Sequence, residues 1–154
     1  MPERRIWLMK TEPSSYALSD LARDRRTFWS GVRNYQARNF MRDTMRVGDR
    51  ILFYHSNAEP PGVAGLARIC GEGRPDATAR DPKDHHFDPA ATAEKPIWYG
   101  VDVAFVKAFR CLVPLDALRA DPALKDMVLL QRSRLSVQPV KERHFNRILE
   151  MAGA

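Results

Sequence analysis

The sequence predicts an α+β fold built on a curved, barrel-like sheet. Three observations point to it. "RILFYHS" (50–56) and "VAGLARIC" (63–70) are strand-like runs joined by the turn-forming "NAEPPG" (57–62), and together they read as a hairpin. "IWYGVDVAFVKAFR" (97–110) is a long run of the β-branched and aromatic residues that strands favour. Short helical segments flank these strands, which is the α+β order.

In chain order, "RIWLMK" (5–10) predicts a first strand ended by the turn "TEP". "LSDLARD" (18–24) predicts a short helix with Ser19 as its N-cap. The stretch "WSGVRNYQARN" (29–39) begins as a loop, because Ser30-Gly31 resists helix; Asn34 then caps a helix over about 35–43, with Tyr35, Ala37, Phe40 and Met41 inward. "RVGD" (46–49) is a turn before the hairpin. Residues 71–96 are rich in Gly, Pro, Asp and Ala without a period, and a loop of that length in a small domain is often functional. "PLDALRAD" (114–121) and "PALKDM" (122–127) predict short helices, "RLSVQPV" (134–140) an extended segment, and 141–151 a final helix with Phe145, Ile148 and Leu149 inward.

The chain of 154 residues fits one domain, 1–154, large enough to bury about two-thirds of its unfolded surface. Its 44% hydrophobic and 29% charged residues are those of a globular protein. No apolar run approaches the roughly 20 residues of a membrane span, and "MPERRIWLMK" has no apolar stretch long enough for a secretory signal. No membrane partner and a cytoplasmic location are therefore expected. With no heptad and no exposed apolar stripe, a monomer is favoured. Cys70 and Cys111 each sit in an apolar run and are expected as two buried thiols. Neither has a second cysteine at metal-ligand spacing.

The formal charge of +6 makes polyanions natural partners. Of the 25 basic residues 19 are arginine, whose planar fork suits phosphates and base edges, although a GC-rich coding bias also enriches Arg, Ala and Pro.

Signatures for phosphate-cradling loops, zinc proteases, nucleophile elbows and deaminases are missing, so no cofactor and no catalytic residue are predicted. "DHHFD" (84–88) offers two histidines and two aspartates, but adjacent histidines in a strand diverge and those in polar loops are usually solvated; no metal site is expected. Lys10 and Glu12 stand two apart and could do acid–base work, or form a salt-bridged strand end. Phe53 and His55 share one face of a strand, Tyr54 and Ser56 the other; alternation does not decide which pair is core. In the 29–39 stretch an aromatic, a glycine, hydrogen-bonding forks and a helix N-terminus would suit a nucleobase with its phosphate, or merely a capped, solvated helix.

Seven segments, "KTEP" (10–13), "WSGVRNYQARN" (29–39), "VGDRILFYHSN" (47–57), "PGVAGLARI" (61–69), "DP…FDP" (81–89), "PIWYGVDVAFV" (96–106) and "RLSVQPV" (134–140), together resemble the EVE domain family, in order along essentially the whole chain. That family is PUA-like and related to YTH domains, which hold a methylated base in an aromatic cage. The resemblance implies a curved, mostly antiparallel sheet of five or six strands flanked by helices. It also implies a non-enzymatic reader of a modified base, such as 5-methylcytosine, 5-hydroxymethylcytosine or N6-methyladenine, in DNA or RNA. By motif, the pocket would be lined by Lys10, Trp29, Gly31, Val32, Arg33, Asn34 and Tyr35. Tyr54, His55 and Ser56 would supply a strand wall, Trp98 the loop side, and Arg134, Ser136 and Gln138 the far rim. The alternative is an enzyme acting on a nucleotide or small molecule through Lys10, Glu12 or His55. Many relatives have Thr or Ser where this chain has Lys141 before the last helix, which predicts a weak cap there.

Overall fold

Strand β1 (Ile6–Thr11) alternates its side chains between two cores, and that alternation organises the molecule. Trp7 and Met9 enter one cluster, Ile6 and Leu8 the other. In this computed structural model, which describes residues 4–154, β1 runs parallel to β3 (Arg50–His55), Ile6 in register with Arg50 and Thr11 with His55. Residues 1–3, part of the expected 1–154 domain, lie outside the described residues.

The hairpin expected at 50–70 is present. β3 pairs antiparallel with β4 (Gly62–Pro75), which continues five residues beyond the predicted end. β4 then pairs along its length with β5 (Tyr99–Pro114). Two short strands complete a six-stranded sheet in the order β2-β5-β4-β3-β1-β6: β2 (Arg26–Trp29) beside β5, and β6 (Val137–Pro139) beside β1. Pairing is antiparallel except for β1 with β3. The sheet is strongly curled. Trp29 of β2 and Phe53 of β3 meet edge to face at 5.5 Å although β5 and β4 separate them in the strand order. Register shifts along β4 and β5 supply that curvature.

The inside of the curl holds the first core, with Trp7, Phe53, Ile69, Val103 and Val137. The outer face is covered at one end by α5 (Glu142–Ala152), which lays Phe145 and Ile148 on Leu8, Leu52 and Phe109. No side chain caps the start of α5 at Lys141, as the departure from Thr or Ser implies.

Several local expectations are corrected. Helix α1 (Leu18–Asp24) is capped at Ala17, not Ser19, and Asp20 turns back to accept a hydrogen bond from the Ala17 N–H at 2.8 Å. The 29–39 stretch starts on a strand, not in a loop, because β2 ends at Trp29. Helix α2 (Tyr35–Asn39) does begin after Asn34, whose side chain accepts from the Ala37 N–H at 2.9 Å, and it widens into a π-type turn over Phe40–Thr44. Tyr35 points out, 61% exposed, because its ring stacks on Trp98 rather than on the core. Helix α3 (Leu115–Ala120) matches its segment, whereas α4 (Val128–Gln131) was unforeseen. Cys70 is half-buried and Cys111 exposed, and both are free thiols; Cys111 occupies an outward position of β5 despite its apolar neighbours. Among the described residues no helix is long and apolar enough to cross a membrane.

Candidate functional site

An open cleft of about 960 Å³ lies where the curled sheet brings β2 back toward the ends of β1 and β3. One wall is the segment Trp29–Arg33; a second carries Lys10, Glu12, Tyr54 and Ser56. Ser133, Arg134 and Ser136 form the far rim, with Leu115, Arg119 and Leu129 beneath, and His85 and His86 stand at the mouth. The volume is at the upper end of small-molecule sites, and the lining mixes aromatic faces, hydroxyls and cations.

The Trp29–Arg33 wall owes its shape to contacts distant in sequence. Gly31 takes a left-handed φ of +81°, and a Cβ there would lie 2.7 Å from Nε2 of His86. Its N–H donates to Asp76 at 2.7 Å. Arg33 donates to Asp76 (3.1 Å), to the Thr78 hydroxyl (3.2 Å) and twice to the His86 carbonyl (3.0 and 2.7 Å), with its guanidinium 5.3 Å from the Trp98 ring. Burial pushes the Asp76 carboxyl up, but hydrogen bonds from Gly31, Thr78 and Arg33 outweigh it and hold the group below its ordinary value. Asp76 and Arg33 thus clamp the 76–98 segment to the cleft wall. Trp29 lines the cleft with the little surface it keeps, 7% exposed, the rest of its ring being core.

On the opposite wall the ammonium of Lys10 donates to the Ser133 carbonyl at 2.6 Å and lies 5.7 Å from the Tyr54 ring centroid. Its burial there pulls its pKa below the ordinary lysine value. The backbone joins the same elements: Lys10 N–H donates to the Ser136 carbonyl, and Ser56 N–H to that of Thr11. The Ser56 and Ser136 hydroxyls stay available to a ligand. Arg119 and Arg134 line the same cavity on exposed chain.

Of the residues named from the sequence, the cleft brings together Lys10, Trp29, Gly31, Val32, Arg33, Tyr54, Ser56, Arg134 and Ser136. Five stand elsewhere. Asn34 is spent as the α2 cap. Tyr35 and Trp98 stack on each other at 4.9 Å behind the wall, where the Trp98 Nε1–H donates to Asp88 at 2.7 Å. His55 Nε2 accepts from the Leu18 N–H at 3.1 Å, and its ring meets the Phe53 edge. The Gln138 side chain donates to the Leu135 carbonyl, and its Oε1 is the one buried side-chain polar atom without a partner among the described residues. Sequence reasoning missed Arg119, Ser30, Tyr16 and the two histidines as lining. Only His85 and His86 carried a signal, in "DHHFD". There the side chains converge rather than diverge. Ligand atoms of Asp84, His85 and His86 lie within 4.8 Å of one another, and His86 Nδ1 is hydrogen-bonded to Asp84 at 3.1 Å.

The EVE domain family model matches residues 5–151. The chain belongs to the EVE domain family. This EVE domain is 40% identical to human thymocyte nuclear protein 1 over 94% of its own length and 72% of that protein. Its fold matches a crystal structure of the human protein in complex with 5-methylcytosine-containing DNA, with a TM-score of 0.92, 38% identity and coverage of 97% of this chain and 98% of that one. It is also similar to a hypothetical protein from Leishmania major, with a TM-score of 0.95, 45% identity and coverage of 98% and 96%. The α+β, PUA-like architecture implied by the family resemblance is the one this EVE domain adopts.

Proposed function

We propose that this EVE domain is a non-enzymatic reader of a modified base in DNA, with 5-methylcytosine as its first ligand, and that the cleft receives the base turned out of the helix. The observation that carries the reading is the human relative held with 5-methylcytosine DNA, alike in fold over nearly the whole chain. The cleft supplies the physical means. Its volume accommodates a nucleotide. The hydroxyls of Ser30, Ser56 and Ser136 and the Lys10 ammonium offer hydrogen bonds to its edge, with Arg134 and Arg119 toward its phosphate. Burying one methyl adds on the order of 1 kcal/mol, so preference over cytosine is expected at roughly fivefold.

The enzyme reading is weaker on the same geometry. His55 is held by Leu18 and Phe53, and the Glu12 carboxylate accepts from Asn57 at 2.7 Å, so Lys10, Glu12 and His55 do not converge on one point of the cleft.

The test is fluorescence-anisotropy binding to matched oligonucleotides, unmodified or carrying 5-methylcytosine, 5-hydroxymethylcytosine or N6-methyladenine, as DNA and as RNA. The reading expects tightest binding to 5-methylcytosine DNA, with the preference reduced by Ser136→Ala and the affinity for all strands weakened alike by Arg134→Ala. Trp29→Ala is unsuitable, since removing a buried Trp costs about 3–5 kcal/mol of stability. Equal binding to all strands, or unaltered preference in Ser136→Ala, would overturn the reading.

A further inference from the structure

The outer face of the sheet carries a row of arginines that the cleft does not use. Arg26 on β2 and Arg68 on β4 are both in register with Ala104 of β5, and Arg68 is in register with Arg50 of β3. Residues in register project from the same face. The flanking pairs Val103–Ile69 and Ala67–Ile51 all enter the first core, inside the curl. The arginine row therefore lies outside it. Neighbouring strands are about 4.8 Å apart, which sets Arg68 roughly 10 Å from Arg26 and Arg50 roughly 5 Å further on.

α5 reaches this face only at the Arg50 end, where the guanidinium lies 4.6 Å from the Phe145 ring centroid and 3.7 Å from Glu142. Arg26 and Arg68 are exposed, and among the described residues neither has an ion-pair partner. Arg74, nearby, is different: it is bound to Asp102 at 2.9 Å and lies over Phe28. The row starts beside the cleft, because Arg26 shares its face of β2 with Phe28, a lining residue.

We infer that Arg26, Arg68 and Arg50 form a phosphate-binding track for the DNA backbone that flanks a base held in the cleft. Guanidinium forks on a rigid sheet beside the cleft, those of Arg26 and Arg68 unpaired with protein carboxylates and that of Arg50 held loosely by Glu142, fit a chain of phosphates. The track carries no base information. It sets affinity and salt dependence, while the cleft sets preference. The inference rests on the cleft being a DNA reader, and its test separates the two.

The experiment measures affinity for one DNA duplex, with and without 5-methylcytosine, from 50 to 200 mM salt, for the wild type, Arg26→Ala/Arg68→Ala, and the control Arg23→Ala/Arg42→Ala. The control removes the same formal charge where each guanidinium is already bound to a neighbouring aspartate. The track predicts that Arg26→Ala/Arg68→Ala flattens the slope of log affinity against log salt by about 1.8 and weakens both duplexes, about tenfold more at 50 mM than at 200 mM salt, the methylation ratio unchanged. The control should move neither. An unchanged slope in Arg26→Ala/Arg68→Ala, or an equal change in the control, would overturn the track. A wild type without methylation preference but with the predicted slope change would defeat the reader and leave the track standing. Circular-dichroism melts of both double variants confirm that the exposed substitutions leave the fold intact.

Discussion

His55 illustrates how one side chain, suggested for the pocket by its motif, is taken by the fold instead. Its Nε2 accepts the Leu18 N–H, which requires a neutral ring with the proton on Nδ1. Burial lowers its pKa from the ordinary value of 6.5. The folded state therefore resists a proton that the unfolded chain accepts. Stability from this site is complete above about pH 6.5 and is lost as pH falls from there toward the lowered native value. We expect His55→Gln, which retains an acceptor for Leu18, to flatten the fall of Tm in that window, as differential scanning fluorimetry would show. A pH profile parallel to the wild type would contradict it. Other residues were more legible. Asn34 follows from the chemistry of caps alone, and the structure keeps it there. The outward turn of Tyr35 was not legible, because it depends on Trp98, more than sixty residues away, arriving beside it.

The elements most visible in the sequence were those with local reasons to form. The β3–β4 hairpin has its own turn, β5 its own composition, and α5 its own apolar side. The parallel pairing of β1 with β3 and the shape of 76–98 have no such local cause. That segment looked structureless because its restraints are long-range hydrogen bonds: Gly31 and Arg33 reach Asp76, and Arg33 reaches the His86 carbonyl. Breaking one partner from a buried pair costs about 3–5 kcal/mol. The Asp76 side chain is fully buried, but Arg33 is 22% exposed and Asp76 keeps its bonds from Gly31 and Thr78. We therefore expect Arg33→Ala to lose about 2–3 kcal/mol in urea denaturation, just below that range. Lysine should not restore it, since one ammonium cannot reproduce a fork that reaches Asp76, Thr78 and His86 together. A loss below 1 kcal/mol would mean that the segment is held by other contacts.

At the scale of the whole molecule, function depends on the curl of the sheet. Composition and periodicity indicated strands, and the family resemblance implied their arrangement, yet neither specified that β2 closes over β3 through Trp29 and Phe53 to open a cleft at the ends of β1 and β3. That closure explains why the motif residues divide as they do. Those at strand ends and in the Ser30–Arg33 turn reach the cavity, while Trp98, His55 and Gln138 brace the surrounding frame. The most direct test of the central claim is an amide chemical-shift titration of the 15N-labelled protein with 5-methyl-2′-deoxycytidine monophosphate against its unmethylated counterpart. The account predicts that the methylated nucleotide shifts the amides of Ser30, Gly31, Ser56 and Ser136 at lower concentration, with α5 silent. Shifts confined to the outer face, or identical responses to the two nucleotides, would contradict a base-reading cleft.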